Sequence, residues 1–125
     1  MPMLVLVFFL IFLPQFARAG LPDGVREIVS NAFDGRTGRI VRSCAFWAND
    51  AAAAVRRREQ GMSEEEASRA VGMPDGLKRP TDADIDFYGR RAEVVAQVYQ
   101  SDDLQQTNPK QIHDVVFSTC QAEAK

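Results

Sequence analysis

The sequence predicts an all-α fold, a small bundle of about five helices held by one disulfide. Three observations lead there. Apolar residues recur at three- and four-residue spacing in successive stretches, and no stretch alternates apolar and polar positions for long. Helix-start signals at Asp23, Ser63, Thr81 and Asn108-Pro109 introduce those stretches, and Gly35, Gly61 and Gly72 close the first three. Both cysteines, Cys44 and Cys120, fall inside apolar stripes. A chain of 125 residues has room for one such domain, placed at residues 20–125.

Residues 1–19 are expected to stand outside that domain. Leu4 to Leu13 is an unbroken apolar run, followed by Pro14 and then by Ala17-Arg18-Ala19. An apolar core of this length before an A-x-A end is the pattern of a secretory signal peptide, with the cut after Ala19. A retained anchor is the alternative, but Pro14 interrupts the run, and the stretch to Ala17 is shorter than the roughly 20 residues a bilayer needs. The expected location is the periplasm or the medium, with no membrane association once the leader is cut. In an oxidising compartment an even cysteine count reads as one bridge, Cys44–Cys120; two buried thiols are the alternative. No C-x-x-C pair points to redox chemistry. The domain is rich in alanine and lean in large aliphatic side chains, so such a staple matters to its stability.

The elements follow in order. Asp23 caps a helix whose stripe is Val25, Ile28, Val29, Ala32 and Phe33, ended by Gly35. A long helix over 40–60 carries Ile40, Cys44, Trp47, Ala48, Ala51 and Val55 on one side, with Trp47 read as a core residue. Its alanine run, Ala51 to Ala54, favours helix and lets a neighbour come close. Ser63 and Glu66 form a capping box for a short acidic helix that stops at Gly72. Residues 73–80 hold two prolines and an Asp-Gly turn. Thr81 caps a helix reaching about Gln100, with Ile85, Tyr88, Ala92, Val95 and Tyr99 expected inward. Asn108-Pro109 opens the last helix, which buries Ile112, Val115, Val116 and Cys120.

Composition narrows the chemistry. With 15 basic and 17 acidic side chains the formal charge is −2, which disfavours nucleic acid as a partner. One histidine and two cysteines are too few for a four-ligand zinc site. No Gly-rich phosphate loop, nucleophile elbow or H-E-x-x-H run occurs, so the reading is a non-enzyme with no cofactor, no metal and no catalytic residue. His113 beside Asp114 is one helical stretch away from Cys120, about 10 Å, too far for a nucleophile–base pair. Asp82, Asp84, Asp86 and Glu93 match calcium-loop positions 1, 3, 5 and 12, but Phe87 stands where that loop needs glycine. These acids read instead as a first helical turn facing the positive end of the dipole. Arg56-Arg57-Arg58 spreads around a helix and reads as a solvated C-terminal end.

The leader, a cysteine within a long helix, Arg58-x-x-Gly61-x-Ser63 opening a short acidic helix, Tyr99 near the end of a later helix and a cysteine in the last one form a combined pattern. It resembles the periplasmic immunity proteins that neutralise type VI secretion amidases, over about 44–120. The resemblance implies a small all-α domain, often dimeric, that plugs the cleft of a peptidoglycan-cleaving enzyme. It assigns Cys44 and Cys120 to the disulfide, and Gly61 and Ser63 to a helix–turn–helix junction. The loops between rigid helices, 73–80 and 101–108, are the candidates for contact with a protein partner, through Asp75, Lys78, Arg79, Asp102 and Asp103. Two alternatives stand beside this one. A periplasmic stress chaperone would expose apolar faces as its carboxylates protonate near pH 3. An accessory subunit would complete its chemistry on another chain.

Overall fold

The structure, a computed structural model, describes residues 21–124; the expected leader and its cut lie outside them. Among these residues are five α-helices, α1 (Asp23–Ser30), α2 (Cys44–Glu59), α3 (Glu64–Ala70), α4 (Asp82–Gln100) and α5 (Pro109–Glu123), with a 3-10 turn at Asp102–Leu104. The all-α bundle is as the sequence predicts. The only extended pairing among the described residues is one isolated antiparallel bridge between Phe33 and Ile40.

Helix boundaries follow the local hydrogen-bond chemistry, and three differ from expectation. Asp23 is the first residue of α1 rather than its cap, because the Pro22 carbonyl takes the first bonds, from Val25 and Arg26. That helix stops at Ser30, well short of Gly35; the Ser30 hydroxyl and the Asn31 amide both turn back to the Glu27 carbonyl. The second helix begins at Cys44, not Ile40. Arg42 takes a left-handed φ of 74°, which no helix passes through, and the Ser43 hydroxyl accepts from the Phe46 amide to cap α2. At the far end Gly61, with φ 83°, makes the left-handed turn anticipated there.

The capping chemistry of the later helices is largely as read. Ser63 accepts from the Glu66 amide, but the Glu66 carboxylate returns to the Ser63 hydroxyl instead of its backbone, so that box is half formed. Complete boxes close on Thr81 with Asp84 and on Asn108 with Gln111, the second with proline in the first turn.

Packing centres on α2. Its Trp47, Ala48, Ala51, Ala52, Ala54 and Val55 are buried, facing Ile112, Val116 and Cys120 of α5 and Val94, Val95 and Val98 of α4. The small alanines bring the helix backbones together, so few large side chains suffice to fill the core. Trp47 is fully buried and its indole N–H donates to the Val41 carbonyl at 2.5 Å, which satisfies its one donor. On α4 the expected inward stripe is corrected. Ile85 is 54% exposed and Ala92 faces solvent, while Phe87, Arg91, Val94 and Val98 turn inward beside Val95. That competing stripe wins because its charged member, Arg91, has a buried partner.

Cys44 and Cys120 are bonded, with Cα atoms 5.6 Å apart, well inside the range a disulfide spans. The bridge ties the first turn of α2 to the last turns of α5 across a sequence separation of 76. A second tight contact joins α1 to the 3-10 turn. A Cβ on Gly24 would lie 2.5 Å from Leu104 Cδ1 and 2.6 Å from Ser101 Oγ.

Two stability measurements follow. The double substitution Cys44→Ser and Cys120→Ser is expected to lower unfolding stability by about 4 kcal/mol in urea titration, with reductant giving the wild type a similar loss. Gly24→Ala is expected to cost about 1–3 kcal/mol by overpacking against Leu104, whereas Gly35→Ala, with nothing near its Cβ, should cost far less in the same titration.

Candidate partner-binding surface

The most elaborate side-chain cluster lies where α2, α4 and the segment before α2 meet. It starts from Asp50, an acid on the buried face of α2 and only 7% exposed. A carboxylate there needs a partner, since burying it alone costs several kcal/mol. Arg91 of α4 supplies one, with Nη2 2.7 Å and Nε 3.3 Å from Oδ1. Phe46 and Phe87 cover the pair, their ring centres 5.6 Å apart, and the Arg91 guanidinium lies 5.4 Å from the centre of Phe46. Trp47 meets both rings nearly edge-on from below, at 5.0 and 6.1 Å. On the solvent side, the guanidinium of Arg42 sits 4.3 Å above Phe87 and 5.8 Å from Phe46. The result is a cluster in which both guanidinium groups lie within reach of both phenylalanine rings, each contact worth roughly 0.5–1 kcal/mol or more as water is excluded.

Arg42 adopts its left-handed backbone because both neighbours are committed. Val41 receives the Trp47 indole N–H and Ser43 caps α2, so the residue between them must turn. The chain ahead of it is tied just as closely. The Asp34 amide donates to the Arg39 carbonyl and the Gly38 amide to the Asp34 carbonyl, both at 2.8 Å, closing a short loop. Asp34 Oδ1 accepts from the Arg36 amide. Arg90 of α4 donates to the carbonyls of Asn31 and Phe33, each at 2.9 Å, while its Nε pairs with Asp86. This anchored loop leaves Arg36, Arg39 and Arg42 exposed, and among the described residues none of the three pairs with a carboxylate.

Beside Arg42 opens a shallow groove of about 550 Å³, floored by Ile40, Cys44, Ala45 and Phe117. The half-buried edge of the disulfide thus lines it. His113 lies parallel on Phe117, ring centres 6.0 Å apart, and shares a hydrogen bond with Asp114. That bond, aided by Lys110, holds the Asp114 carboxyl below its ordinary value. The lowered value favours the fold at neutral pH, a contribution lost as pH falls through it. The Cys120 sulfur is bonded to Cys44 and buried.

The loop residues singled out from sequence are exposed but are not brought together. Asp75, Lys78 and Arg79 lie on the open 73–80 segment. Asp102 and Asp103 sit in the 3-10 turn rather than a free loop, and Asp103 is engaged, accepting from Gly24 N and from the Ser101 hydroxyl. No hydrogen bond or ion pair among the described residues joins the two segments. Of the acids at calcium-loop spacing, Asp84 turns back to the Thr81 amide and Asp86 pairs with Arg90. They lie along one helix, and no group of three metal-ligating side chains converges among the described residues.

The arginine run is a correction. Arg56 is solvated, but Arg58 reaches across to the carbonyls of Val98, Gln105 and Thr107, clamping the end of α4 to the start of α5. Tyr99 closes the same corner by donating to the Met62 carbonyl at 2.8 Å, and burial raises its phenol above the ordinary value. Sequence reasoning passed over Asp50, Arg91 and Arg42. One signal was present, an acid inside a stripe of alanines, which requires a buried cation somewhere else in the chain.

Asp50 and Arg91 are expected to respond unequally to substitution. The Asp50 side chain is 4% exposed and that of Arg91 23%. Arg91→Met strands the more deeply buried charge and is expected to cost about 3 kcal/mol, whereas Asp50→Asn lets Arg91 reach water and should cost less. Urea denaturation of both variants, with the double variant closing the cycle, measures the difference. No family model matches this sequence, and no curated protein or solved structure matches it.

Proposed function

We propose that this chain is an exported helical module that acts by binding another protein. The kind of action is that of the periplasmic immunity proteins it resembles, blocking a peptidoglycan-cleaving enzyme. One observation carries the reading: exposed arginines, one of them resting on half-buried aromatic rings, beside an open groove. Arginine and aromatic side chains are the residues most enriched at the energetic centres of protein interfaces, and a surface ordered in advance loses little entropy on binding. The disulfide supports export, because such a bridge forms and persists in oxidising compartments.

The test uses the full chain, expressed with its leader and recovered oxidised from the periplasm. Affinity purification from a periplasmic extract is expected to bring down a cell-wall hydrolase in a defined complex, and adding the protein to that hydrolase should stop peptidoglycan cleavage. Failure to reach the periplasm, or a protein that stays monomeric and inhibits nothing, overturns the proposal. Protection of unfolding clients that grows as pH drops toward about 3 would assign it to the chaperone class instead.

A further inference from the structure

We infer that Arg36, Arg39 and Arg42, together with the groove beside Arg42, form the docking surface, and that its occupant is an acidic segment of a partner protein carrying an apolar side chain. The inference rests on the protein-binding reading above and names the chemistry of the partner. Three cations stand within seven residues of chain, all exposed. The nearest acid in sequence, Asp34, accepts from the Arg36 amide. In a chain of net charge −2, residues 36–42 carry three positive charges and no acid.

The presentation suits carboxylates. The bonds from Asp34 to Arg39 and from Arg90 to Asn31 and Phe33 hold the loop backbone, so the arginines project from a fixed base. One face of the Arg42 guanidinium rests on Phe87. Its N–H edges remain available, and a guanidinium edge matches a carboxylate through two parallel bonds. Next to it the groove offers Ile40, Cys44, Ala45 and Phe117 to an apolar group. Rim arginines of this kind govern encounter and orientation, while the buried apolar contact governs residence. An extended polyanion fits less well, because it would leave the apolar groove beside Arg42 unfilled.

The experiment uses the oxidised protein recovered from the periplasm and a fluorescent peptide of sequence Glu-Glu-Phe-Glu-Glu. The controls are Lys-Lys-Phe-Lys-Lys and phosphatidylglycerol vesicles. The acidic peptide is expected to bind, more tightly at low salt, and the basic one not to. The triple variant R36A/R39A/R42A should lose about tenfold or more of that affinity, with several-fold losses for the single changes. Ala45→Glu, an acid welcome in the first turn of α2, should abolish binding by closing the groove while the helix content stays unchanged. Equal binding of both peptides, or a triple variant that binds like the wild type, overturns the inference. So does binding to the vesicles without binding to the peptide, which would assign the surface to lipid. If affinity purification yields a partner that the triple variant also retains, the docking surface is wrong and the protein-binding function stands. A wild type that binds the acidic peptide but captures no hydrolase leaves the docking surface and removes the function.

Discussion

The seam between α2 and α5 is the constraint on which the rest of the structure depends. Alanines along α2 let the two helices come close, and the Cys44–Cys120 bond ties one end of the seam. Once these helices are in place, α4 has one face of α2 left to cover, and α1 closes over α4 and α5 with its Val25, Ile28 and Val29. A core made largely of Val and Ala gains less from burial per residue than one of Leu and Phe. The covalent link offsets that deficit by limiting the unfolded chain rather than by adding contacts to the folded one.

Polar side chains do the work of positioning that large apolar ones do in richer cores. Arg58 gathers three carbonyls at the corner between α4 and α5, Arg90 gathers two from the chain leaving α1, and Arg91 neutralises Asp50 inside. Each guanidinium has several donors in a fixed plane, so one side chain can satisfy carbonyls from separate segments. The same arginines explain why α4 is rotated relative to its apparent apolar stripe. Leaving Ile85 at the surface forgoes some burial, but exposing Arg91 would strand the Asp50 carboxylate, and the second cost is larger.

The surface around Arg42 is continuous with this interior. Its cation rests on rings that cover the buried ion pair, and its strained backbone is held by the tryptophan at the base of the stack. Arg42 outside and Arg91, the partner of Asp50, inside share Phe46 and Phe87 as neighbours.

What the amino-acid order determined by itself was local. Spacing of Val25, Ile28 and Val29, the caps at Ser63, Thr81 and Asn108, the left-handed stop at Gly61 and the inward placement of Cys44 and Cys120 all depend on residues within a turn or two of one another. Hydrogen-bond partners and side-chain periods at that range are written in the chain. The start of α2 was equally local, set by the Ser43 cap, whereas the rotation of α4, the clamp of Arg58 and the stack under Arg42 were decided by tertiary structure alone. Each depends on a partner some 40 or more residues distant or on a competition between two faces, as between Ile85 and Arg91. Periodicity ranks apolar positions but carries no information about which charge, far along the chain, will meet Asp50 once the helices pack.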